Sequence, residues 1–99
     1  MIKLIDSNGT GQKIIENFKN FDYSFESKEK LGESDFYDFK WTFGNQCGTI
    51  VIQLKSDGTI HPNSTMNCKD FDRPLGANND PTLYDIFRIL LDSEDIPHR

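Results

Sequence analysis

One stretch governs what this chain can fold into. From Tyr37 to Phe43 the sequence alternates strictly, with Tyr37, Phe39, Trp41 and Phe43 separated by Asp38, Lys40 and Thr42. A period of two marks a strand with one buried face, because successive side chains point to opposite sides of the pleat. Gly44-Asn45-Gln46-Cys47-Gly48 then turns the chain into residues 49–55, where Ile50, Ile52 and Leu54 share one face. Two amphipathic strands joined this tightly pair antiparallel. Ser56-Asp57-Gly58 is a short hairpin signal into Thr59 and Ile60, and Pro62 restricts that third strand to a brief edge.

A sheet with one apolar face needs a second layer to cover it. The C-terminal region supplies one: Asp80-Pro81 opens a helix, with Asp as cap and Pro in the first turn, and Leu83, Ile86, Phe87, Leu90 and Leu91 recur at helical spacing. Residues 12–21 place Ile14, Ile15, Phe18 and Phe21 on one helical face, which predicts a first amphipathic helix. Before it stand a short apolar strand over residues 2–6 and a breaker-rich loop. Residues 22–35 have mixed charge and no sustained period; they read as a short strand over residues 23–27 followed by a loop. Residues 63–79 read as a long polar connection. Asp92, Glu94 and Asp95 put negative charge at the C-terminal end of the second helix, where the macrodipole disfavours it, so fraying is expected there. The expected fold class is α+β: an antiparallel meander of three to five strands with an N-terminal and a C-terminal helix packed on one face. At 99 residues the whole chain, 1–99, is one domain's worth.

Composition sets the function classes. Residues of hydrophobic type make up 35%, a thin core that 8 Phe, 3 Tyr and 1 Trp reinforce. No run approaches the roughly 18–20 apolar residues of a membrane span, and residues 1–11 lack the basic and apolar regions of a signal peptide. A cytoplasmic protein is expected, with Cys47 and Cys68 as reduced thiols and with Asn8-Gly9-Thr10 and Asn63-Ser64-Thr65 unglycosylated. Sixteen acidic residues against 11 basic ones leave a formal charge of −5. Phosphate backbones repel such a surface, so neither nucleic acid nor membrane is expected as a direct partner; a basic protein is.

Each candidate chemistry fails on spacing. Ser7 to Lys13 has the glycines of a phosphate-binding loop but not its Gly-x-x-x-x-Gly-Lys-Ser/Thr order, since Ile14 stands where the metal-binding hydroxyl belongs. Cys47, His61, Cys68 and His98 are of zinc-ligand type, yet they lie far apart along the chain instead of forming tight knuckles. Cys47 or Cys68 with His61, oriented by Asp70 or Asp72, is the one nucleophile-and-base combination the chain offers, and no strained nucleophile turn or oxyanion loop accompanies it. Asp70-Phe71-Asp72 sits between Lys69 and Arg73, which reads as a salt-bridged loop in preference to a cation site. No cofactor, metal or catalytic residue is expected.

The interface signal is stronger. Glu33, Asp35 and Asp38 surround Phe36, an aromatic residue out of phase with the buried stripe. Aromatic anchors dominate interface energies, while charges set encounter rate and specificity. Asp70 and Asp72 add two carboxylates to the candidate partner-binding set. In its small size, acidity, lack of a catalytic constellation and long polar loops, the chain resembles the small acidic immunity proteins of bacterial contact-dependent inhibition and related polymorphic toxin systems. The resemblance is of whole-chain character, without a shared motif. It implies a non-catalytic inhibitor that neutralises a cognate toxin, a basic nuclease, through an acidic surface. The alternatives are a phage- or host-encoded acidic adaptor or inhibitor of another basic protein and, behind it, a small enzyme built on Cys47 or Cys68 with His61.

Overall fold

The computed structural model describes residues 10–69 and 74–99. The apolar segment 2–6 and the pair Asp70 and Asp72 lie outside the described residues. The chain forms α1 (Thr10–Glu16), a 3-10 turn (Phe18–Asn20), β1 (Phe21–Leu31), β2 (Ser34–Phe43), β3 (Gln46–Leu54), β4 (Thr65–Cys68), β5 (Leu75–Gly76) and α2 (Leu83–Ser93). The five strands make one antiparallel sheet in the order β1-β2-β3-β4-β5. Both helices contribute to a single cluster of buried side chains on one sheet face, so the fold is α+β as the sequence pattern requires.

The alternation in β2 and β3 sets the core. Phe39 and Trp41 stand opposite Ile50 and Gly48, and Tyr37 opposite Ile52. Phe39, Ile50 and Ile52 are fully buried, and Trp41 and Tyr37 nearly so. From the helical layer Leu83, Ile86, Phe87, Leu90 and Leu91 come down on them, each buried completely, a contribution of roughly 1.5–3 kcal/mol per side chain. Gly48 makes the centre of the sheet possible. A Cβ there would collide with the backbone of Asn67 and Cys68, so only glycine lets β4 approach so closely. The Trp41 indole, in register with Gly48, donates its N–H to the Asn67 carbonyl at 2.8 Å, which satisfies the polar atom of a buried tryptophan.

Several elements differ from the expectation. The first helix ends at Glu16; Phe18 falls in a 3-10 turn and Phe21 opens β1, buried and stacked on Trp41 at 6.0 Å. Ile15 consequently stays exposed. The strand at residues 23–27 extends to 11 residues, because Lys28 to Leu31 continue pairing with Ser34 to Tyr37 after a bulge between Phe25 and Ser27. The bulge shifts the phase by one residue and so hides the period of two. The strand expected at Thr59 and Ile60 shrinks to one bridge between Leu54 and Ile60. Past Pro62, the buried Ser64 takes over as partner, its Oγ accepting the Gln53 N–H at 2.9 Å. The polar connection 63–79 thereby holds two strands, with Met66 and Cys68 inward and Asn67 outward.

The helix ends are held closely. Asp80 accepts the Thr82 N–H at 3.2 Å and the Gly11 N–H at 2.9 Å, so one carboxylate organises the start of α2 and ties it to α1. At the other end, where fraying is expected, α2 closes in a hydrogen-bonded cap. The Ile96 and Asp95 N–H groups bond the Leu91 and Asp92 carbonyls, and Asp95 adopts φ 56, the arrangement of a Schellman cap with aspartate where glycine is favoured. His98 meets the acidic end through its Nε2, 2.7 Å from Asp92 Oδ1.

Two stability measurements follow. Phe87→Ala should cost about 3–5 kcal/mol in denaturant melts, since a fully buried ring leaves a cavity; a loss under about 1 kcal/mol would place α2 elsewhere. Asp95→Gly should gain about 0.5–1 kcal/mol by relieving the left-handed backbone without touching a core contact.

Candidate partner-binding hairpin

The four described residues singled out by sequence, Glu33, Asp35, Phe36 and Asp38, all lie at the turn end of the β1–β2 hairpin. The turn is Gly32-Glu33. Gly32 has φ +64, the conformation a two-residue hairpin needs at its first central position, and nothing crowds it. Glu33 is therefore presented at the tip, exposed.

The pleat separates the other three. Phe36 and Asp38 point away from the helices, as the register shows: Phe36 stands between Glu29 of β1 and Gln53 of β3, and Asp38 between Ser27 and Val51. Ser27 Oγ donates to Asp38 Oδ2 at 3.2 Å, and Gln53 Nε2 donates to Ser34 Oγ at 3.1 Å, so polar side chains frame Phe36 in place. Phe36 and Val51 are half-buried by these neighbours. Lys40 on the same face is paired with Glu26 at 3.0 Å, which leaves Glu29 and Asp38 as the carboxylates beside the ring. This half of the sequence expectation coheres: an aromatic residue flanked by acids on an open sheet face.

Asp35 is on the other face. It pairs with Lys30 across β1 and with Leu54 across β3, and together with Glu33 it borders a groove of about 550 Å³ shared with Lys28, Lys30, Tyr37, Lys55 and Pro97. The four acidic and aromatic residues thus belong to two surfaces back to back. Lys28 lies over the Tyr37 ring, 5.6 Å from its centroid. Among the described residues no carboxylate approaches the ammonium groups of Lys28, Lys30 or Lys55 within 4.0 Å. These lysines were not singled out by sequence. The signal was present in Lys28-Glu29-Lys30, since in an extended strand that triplet sends both lysines to one face and the glutamate to the other.

From Ser24 to Glu33 every residue is exposed, although the backbone is in register with β2 as far as Leu31. The neighbouring turn is fixed by Asp57, which accepts the Thr59 N–H at 2.9 Å and the Thr59 hydroxyl at 2.6 Å; these donors hold its carboxyl below the usual carboxylate range.

The cysteines and His61 are not brought together. Cys68 is in register with Gly48, at one end of β3, whereas His61 bonds Gln53 near the other. Five residues of extended strand separate the two rows, about 17 Å. His61 Nδ1 accepts the Asn63 N–H at 3.0 Å. No group of three His, Cys, Asp or Glu side chains suited to a metal occurs among the described residues. No helix among them is long and apolar enough to cross a membrane. Comparison with known proteins returns nothing: no family model, curated protein or solved structure matches the chain.

Cys47 and Cys68 are free thiols. Because Gly48 is the residue paired with Cys68, Cys47 falls one position out of phase and points to the opposite face, where it borders a shallow cavity with Lys40, Thr42 and Asn67. Alkylation of the native protein should therefore modify half-buried Cys47 first and buried Cys68 only on unfolding. Mass spectrometry finding the two linked would contradict the strand register.

Proposed function

We propose that this chain is a non-catalytic inhibitor that binds and neutralises a basic nuclease toxin in the cytoplasm, with the end of the β1–β2 hairpin as its contact surface. The observation that carries the reading is the open face around Phe36, where Glu29 and Asp38 stand beside a half-buried ring on a strand paired on both sides. A partner whose substrate is a polyanion presents Lys and Arg in its cleft. Carboxylates held on a sheet meet those cations in the place of phosphates, and Phe36 supplies the desolvated anchor that long-range attraction alone lacks. The net charge of −5 accelerates the encounter. Glu33 at the tip contributes to steering; Asp35, on the reverse face beside Lys30, contributes less to the Phe36 surface.

The test pairs growth protection with kinetics. The chain should restore growth of a bacterial host expressing the nuclease domain that it neutralises, and association with the purified domain should slow as salt rises, because attraction is screened within about 8–10 Å at physiological ionic strength. Replacing Glu33, Asp35 and Asp38 by their amides should lower the association rate by about tenfold at low salt, whereas amides at Asp92, Glu94 and Asp95 should leave it near the parent value. Adding Phe36→Ala should raise the dissociation rate and abolish protection. Both triple variants associating as fast as the parent would remove these acids from recognition.

A further inference from the structure

The two sides of the hairpin end differ in sign. On the outer face Glu29 and Asp38 flank Phe36; on the groove face Lys28, Lys30 and Lys55 line one concavity, and none of them is neutralised by an ion pair among the described residues. Glu33 and Asp35 border the same groove without closing on those ammonium groups. Lys28 lies over the Tyr37 ring and Lys55 acts on Asp57 from beyond ion-pair distance, which leaves the ammonium groups open to a further partner.

We propose that this groove is the second half of the partner interface and that its occupant is a cluster of carboxylates on the partner, the acids with which a metal-dependent nuclease holds its divalent cation. The inference rests on the inhibitor reading above and specifies it. A phosphodiester-cleaving site that uses a metal has two chemical walls: cations that bind the phosphate, and carboxylates that bind the metal. A hairpin end entering such a cleft needs carboxylates on one side and ammonium groups on the other. The pleat provides much of that division, since Lys28 and Lys30 alternate with Glu29 along β1 and Tyr37 alternates with Phe36 and Asp38 along β2, with Asp35 opposite Lys30 as the β2 carboxylate on the lysine side. Lysine ammonium groups facing the metal-binding acids occupy the region the ion would hold, so inhibitor and divalent cation exclude one another.

The experiment uses the full chain and the nuclease domain that it protects against, at constant ionic strength, with and without millimolar Mg²⁺. The parent chain should bind about tenfold more weakly in Mg²⁺ than in its absence. The variant Lys28→Gln, Lys30→Gln, Lys55→Gln should bind about tenfold more weakly than the parent without Mg²⁺ and should lose the Mg²⁺ dependence. These lysines are exposed, so its melting temperature should match the parent's, and Lys19→Gln serves as a single-charge control at an exposed lysine outside the groove. A triple variant that binds like the parent, or one that binds weakly yet remains as sensitive to Mg²⁺, overturns the proposal while leaving the Phe36 face intact as an interface. A parent chain that neither protects nor binds any basic nuclease domain overturns the inhibitor reading, and this proposal with it.

Discussion

The structure depends on one place in the sheet, where Trp41 lies in register with Gly48 and reaches the Asn67 carbonyl. A buried indole needs a partner for its N–H. The partner is a strand backbone that approaches β3 closely only because residue 48 has no side chain. This single contact joins β2, β3 and β4, and Phe21 of β1 stacks on the same ring. The ring belongs to the same buried cluster as the apolar positions of α2. The close approach of β4 to β3 therefore rests on a tryptophan and a glycine, while the alternation of β2 and β3 decides which face is covered.

A consequence is the uneven distribution of burial. The helical layer protects one face and leaves the other to mainly polar residues around Phe36 and Val51, and β1 is buried at Phe21 but exposed from Ser24 onward. An exposed edge strand of 11 residues invites pairing with another chain. Here the bulge between Phe25 and Ser27 twists the edge, and Lys28, Glu29 and Lys30 charge it. Both devices oppose aggregation. The same charges form the two surfaces of the hairpin end, so the residues that keep the edge soluble are also those proposed to meet the partner.

Much of this was legible in the sequence where one pattern dominated. The stripe from Tyr37 to Phe43 and the apolar positions of α2 gave faces as well as elements, because neither segment has a competing period. Legibility failed where a local irregularity broke the phase. The bulge concealed half of β1; Ser64 replaced a backbone partner with a hydroxyl and so concealed the entry to β4; and Phe21, in helical phase with Ile14 and Phe18, belongs to a strand. The acidic end of α2 looked like a fraying terminus because its Schellman cap uses Asp95 where a glycine would have announced it. For the site, sequence proximity grouped Glu33, Asp35, Phe36 and Asp38, but the pleat assigns Asp35 to the opposite face, and the groove lysines come together only when β1 and the end of β3 are laid on either side of β2.

Burial places stability in the helix-covered part of the sheet and leaves the proposed recognition surface at the hairpin end outside it. Residue-resolved amide hydrogen exchange of the native chain tests this division most directly, since it separates local opening from global unfolding. The amides of Ile50, Ile52 and Phe87 should exchange only through global unfolding, while those of Lys28 to Leu31 should exchange through a local opening whose free energy is several kcal/mol lower. Equal protection in both sets would contradict the division, because the hairpin end would then be part of the cooperative core.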